Sequence, residues 1–117
     1  MAVNTSFSPQ GNTILLTTNA APSTANHTNL TLANIGLQYY PMMVRVFAQA
    51  GPVFLSFTGV SATITAPTAG AGGGTACIAL NPNVVEVFTI PAFQTLWIND
   101  ISATASCNYY LIFGEGM

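Results

Sequence analysis

Between Val84 and Phe113 the chain reads VVEVFTI, PAFQ, TLWINDI, SATAS, CNYYLIF: three short, almost wholly apolar runs joined by two tight connections. Each run has strand length, is rich in β-branched and aromatic residues, and stops at residues that favour turns. Side chains alternate between the faces of a strand, so Cys107, Tyr109, Leu111 and Phe113 share one face of the last run and Asn108, Tyr110 and Ile112 the other. In Val84–Ile90, one set is Val85, Val87 and Thr89, and the other holds Val84, Phe88 and Ile90 around a lone Glu86. Both faces are apolar. A small antiparallel sheet with one wet face alternates more cleanly than this. Something must cover the second face: another sheet, another subunit, or both.

The rest of the chain repeats the pattern. Strands are expected at Thr13–Thr18, at Thr28–Leu32 (TNLTL, a half-buried edge), at Met43–Gln49 and at Ala76–Leu80, with a weaker one at Val60–Thr65. Leu37–Tyr40 stops at Pro41 and reads as an edge or a separate short piece. Ala50-Gly51-Pro52 turns the chain, so Val53–Thr58 is expected to return as the hairpin partner of Met43–Gln49. No ten residues carry helical periodicity with capping signals. The expectation is an all-β fold, a jelly-roll-like β-sandwich of eight or nine short antiparallel strands. Met1–Asn12 is polar and small, with only Val3 and Phe7 as anchors, and reads as an extended N-terminal arm. A length of 117 residues suits a single β-sandwich domain over 1–117.

Charge sets the second constraint. Only 3% of the residues are Asp, Glu, Lys or Arg, against roughly a quarter in ordinary soluble proteins. They are Arg45, Glu86, Asp100 and Glu115, with His27 as the sole histidine. Half the residues are hydrophobic, so much of the exterior is expected to be buried in an assembly, as a homo-oligomer or against another protein. A net charge of −2 with one arginine excludes electrostatic capture of nucleic acid or of an anionic membrane. No run approaches the ~18 apolar residues of a membrane-spanning helix. The first residues, MAVNTSFSPQGN, carry neither the basic nor the apolar region of a secretory signal. Cys77 and Cys107 permit one disulfide; without a secretory route, free thiols are expected.

Catalytic chemistry needs titratable groups that converge, and this chain has few. No catalytic residue, cofactor site or metal site is expected. His27 sits in a polar NHTN context and reads as solvated or hydrogen-bonded. Cys77, Cys107 and His27 fall short of the four ligands of a structural zinc site. Glu86 and Asp100 fall in adjacent expected strands with Arg45 as the one available cation, so a structural ion pair or a carboxylate accepting backbone N–H bonds is expected. The Gly-rich PTAGAGGGT stretch lacks the following helix and lysine of a phosphate-binding loop. Trp97, Tyr39-Tyr40 and Tyr109-Tyr110 leave open a glycan-stacking surface, as in a phage fibre or carbohydrate-binding module. Aromatics are also enriched where proteins meet, which makes Tyr39, Tyr40 and Phe93 the candidate partner contacts.

The second half of the chain carries a resemblance. MVRVFAQAGPVFLSFTG, a Gly/Ala/Thr-rich linker, NPNVVEVFTIP, a strand containing ISATAS, and a terminal YYLIFGEGM follow one another over Met43–Met117. This order resembles the capsid cement or decoration proteins of tailed bacteriophages. The resemblance implies a jelly-roll-like sandwich on the outer surface of the virion, bound to the major capsid protein, often as a dimer or trimer, with no catalytic residues and no cofactor. The first third departs from the pattern.

Overall fold

Apolar strands with no polar face are satisfied by packing sheet on sheet, and that is the arrangement found. The computed structural model describes residues 7–20, 24–37, 43–67, 70, 75, 78–90, 95–103 and 105–115. The elements are β1 (Ser8–Thr17), β2 (Asn26–Leu30), the single-turn helix α1 (Leu32–Ile35), β3 (Met43–Ala48), β4 (Val53–Thr58), β5 (Ile78–Leu80), β6 (Val85–Thr89), β7 (Leu96–Ser102) and β8 (Asn108–Glu115). They form two four-stranded antiparallel sheets, β1-β8-β3-β6 and β2-β7-β4-β5. The pairing is nested: β1 lies beside β8, β2 beside β7, β3 beside β6 and β4 beside β5. The expected all-β sandwich is therefore found, with eight strands among the described residues.

The core lies between the sheets. Val44, Val46 and Ala48 from β3 and Tyr109, Leu111 and Phe113 from β8 meet Val53 and Leu55 from β4, Leu80 from β5, and Leu96 and Ile98 from β7. All are buried, and Tyr109, Leu111 and Phe113 belong to the alternate set that the sequence assigns to one face of Cys107–Phe113. Burying each such side chain contributes roughly 1.5–3 kcal/mol.

Two connections differ from expectation. β3 and β4 do not form a hairpin: after β3 the chain turns through Gly51, at φ 75°, and crosses to the opposite sheet. β6, β7 and β8 likewise alternate between sheets instead of pairing as neighbours. Each strand pairs instead with one remote in the sequence, and a turn such as Ala50-Gly51-Pro52 reverses the chain without fixing which sheet the next strand joins. The weaker strand expected at Val60–Thr65 is irregular; it lies over the outer face of the second sheet, where Ala62 N–H donates to Asn99 Oδ1 (3.0 Å) and Ile64 is buried. Beyond it, Thr65 and Thr75 clasp the neck of the Gly-rich loop, Thr75 N–H donating to the Thr65 carbonyl at 3.1 Å.

β1 starts at Ser8, so Ser8–Asn12, expected in the arm, are in a strand. They pair with β8 through a bulge in which Gln10, Gly11 and Asn12 oppose Phe113 alone. Gly11 has φ 78°, and a Cβ there would overlap the Ile35 carbonyl oxygen, so the bulge rests against α1. Thr31 caps α1 and Gly36 ends it in the left-handed region.

Candidate functional site

The two outer faces of the sandwich are unlike. On the second sheet, Asn99 and Ile101 of β7 point away from the core yet are buried, because the chain after β4 folds over them. Asn99 is the fastening. Its Nδ2 donates to Thr58 Oγ1 (2.7 Å) and the Ser56 carbonyl (3.4 Å), while Oδ1 accepts from Ala62 N–H and lies 2.9 Å from His27 Nδ1. The expected hydrogen-bonded role of His27 is found, in β2 rather than in a loop. Nothing in the composition of TLWINDI distinguishes Asn99 as this hub.

The first sheet has no such cover among the described residues. Register places Leu15, Tyr110, Phe47 and Val85 in one row across all four strands, with Thr13, Ile112, Arg45 and Val87 in the next. Met43 lies between Gly114 and Thr89 in a third row. Leu15 is 50% exposed, Val85 46% and Val87 41%. Large apolar side chains in contiguous rows on an open sheet face mark a contact surface rather than scattered surface residues. Thr13, Arg45, Phe47, Val85, Tyr110 and Ile112 line a groove of about 290 Å³ in its middle. The Phe47 and Tyr110 rings in its lining have centroids 6.4 Å apart and are tilted by 37°.

Arg45, exposed at the centre of this face, is the chain's one cation. It forms no ion pair among the described residues. The expected pairing with Glu86 or Asp100 is therefore corrected: Arg45 faces Val87 and Ile112 across its strand, Glu86 turns to the inner side of β6 opposite Val46, and Asp100 belongs to the other sheet. Asp100 is buried and accepts a hydrogen bond from the Tyr109 hydroxyl, which ties the two sheets together through the core. Burial raises its carboxyl above the ordinary value of 3.8, although Tyr109, Asn26 and His27 favour the ionised form. Burial, with the neighbouring Asp100, holds the Tyr109 hydroxyl well above 10. Beside them Thr18 Oγ1 donates to Ser102 Oγ (3.0 Å) and accepts from Cys107 N–H (2.8 Å), closing that end of the sandwich.

Of the titratable groups, His27 lies on the outer side of the second sheet, near enough to Asp100 between the sheets to favour its ionised form, and Glu86 lies in the edge strand of the first. No three His, Cys, Asp or Glu residues among the described ones are grouped to hold a metal ion. Cys107 is a free, buried thiol, as expected; Cys77 is outside the described residues. The described aromatics do not form one platform: Tyr109 is in the core, Tyr110 lies on the outer face of the first sheet, and Trp97 belongs to the second. Tyr39, Tyr40 and Phe93, the expected partner contacts, also lie outside the described residues. The open apolar face carries instead Leu15, Phe47, Val85, Val87, Tyr110 and Ile112; Val85, Val87, Tyr110 and Ile112 come from VVEVFTI and CNYYLIF, which the sequence marks as apolar on both faces, and Leu15 and Phe47 from TILLTT and MVRVFAQ. No family model, curated protein or solved structure matches the chain.

Proposed function

We propose that this chain is a structural virion protein, a cement or decoration protein that binds the outside of a bacteriophage head by apolar and backbone contacts to the major capsid protein. The observation that carries the reading is the open apolar face of the β1-β8-β3-β6 sheet on a chain with so few charges. The order of motifs from Met43 to Met117 supports the same class. The nested pairing of first strand with last supports reading the sandwich as a jelly roll. A cement protein acts by covering area at many equivalent positions. Apolar contact, at about 25 cal/mol per Å², offsets association entropy without charge, and oligomerisation as a dimer or trimer multiplies attachment. Trp97 and Tyr110 lie on different sheets, so among the described residues they lend the glycan-binding alternative no support.

The test is to mix the purified protein with shells assembled from the major capsid protein of the same genome and image them. Lattice decoration that persists in about 1 M salt is expected, because screening weakens ionic contacts and spares apolar ones. A monodisperse monomer without affinity for the shell overturns the reading, and occupancy that collapses with rising salt overturns its apolar basis.

A further inference from the structure

We infer that the groove around Arg45 is a docking site for a segment of a different protein that presents apolar side chains around one carboxylate. The inference rests on the reading above for the partner being a protein of the shell, and it adds what that partner must carry.

The argument starts from charge. Arg45 is the one cation of the chain and has no ion pair among the described residues, yet it stands in the middle row of an apolar face, between Ile112 and Val87. Covering that face with purely apolar groups would desolvate the guanidinium with nothing in exchange. A carboxylate answers it with two parallel N–H···O bonds, and the surrounding Phe47, Val85, Tyr110 and Ile112 exclude water from the pair. Thr13 adds a hydroxyl at the rim of the groove.

The same geometry argues against a second copy as the occupant. A two-fold axis passing close to Arg45 would bring two guanidinium groups together, and like charges facing each other across an interface oppose association. The area also falls short. Four strands at about 4.8 Å spacing and three rows at about 6.8 Å give roughly 400 Å². Doubled across two partners, that is about 800 Å², below the roughly 1,200 Å² at which stable specific interfaces begin. The face suits one contact among several on a larger partner, and self-association is left to other surfaces.

The test uses a defined probe, the blocked tripeptide Ac-Val-Glu-Val-NH2, titrated into isotope-labelled protein and followed by backbone amide NMR shifts. Shifts are expected at Arg45, Phe47, Tyr110 and Ile112. The Gln analogue and the Lys analogue should bind about tenfold more weakly, the loss expected for one charge-assisted contact. Arg45→Gln should abolish the difference between the Glu and Gln peptides while leaving the unperturbed spectrum folded; Arg45→Lys should retain part of it. Shifts elsewhere, or shifts of equal size for all three peptides, overturn the assignment. So does a concentration-dependent dimer that dissociates on Val87→Asp, which would make the occupant a second copy. Shell decoration provides the separate readout. Decoration that survives Arg45→Glu overturns the docking site and leaves the cement reading standing. A charge-dependent peptide footprint on protein that ignores shells overturns the cement reading and leaves the site.

Discussion

Placed between the sheets, the carboxyl of Asp100 bonds the Tyr109 hydroxyl through one oxygen, while Oδ1 has no partner among the described residues. Its folded-state proton affinity is raised by burial, so the folded chain binds more protons than the unfolded one between the ordinary and the raised value. By linkage, the stability this group contributes is complete below the unfolded value and declines as pH rises through the folded one. The urea midpoint of the wild type is therefore expected to fall as pH rises above the ordinary carboxyl value of 3.8, and Asp100→Asn to flatten that slope. A midpoint that rises instead, with the same rise in the variant, would contradict it. None of this is readable from TLWINDI. A strand sequence does not say which sheet it joins, and the pairing of Asp100 with a cation presumed a neighbour that lies in the other sheet.

At the level of the elements, strands were legible and their partners were not. VFLSFT is β4 with the expected bounds, and MVRVFAQ contains β3, because β-branched and aromatic alternation is a local property. The hairpin between them was misread, since a turn sequence reports that the chain reverses and not whether it returns in the same plane. The bulge of β1 was equally hidden: SPQGN looks like an arm, and only contact with α1 makes it part of a sheet. That contact is testable. Gly11→Ala should lower stability by about 2 kcal/mol, through the strain of a left-handed alanine joined to overlap with the Ile35 carbonyl. Gly70 has nearly the same φ, 76°, and open space around its missing Cβ. Gly70→Ala should therefore cost only about 1 kcal/mol, and equal losses at the two sites in urea unfolding would refute the role given to the bulge.

For the molecule as a whole, the two-sheet architecture and the uncovered apolar face could both be anticipated from runs that are greasy on either side. Their distribution could not: the chain supplies its own cover for one outer face through Asn99, and the described residues leave the other bare. The nested strand order has a consequence in time. β8 occupies an interior position in its sheet, between β1 and β3, which precede it by some sixty to a hundred residues. Neither can complete its ladder during synthesis until the strand farthest along the chain has emerged, and contacts so remote in sequence close slowly. Refolding is expected in the millisecond-to-second range typical of such all-β topologies, measured by Trp97 fluorescence after dilution from urea, and removal of β8 should leave a chain that never forms the sandwich. Microsecond refolding would show that a local nucleus suffices. A nascent chain of this kind keeps β1 and one side of β3 unpaired until β8 emerges, so its dependence on chaperones should be set by when that strand arrives.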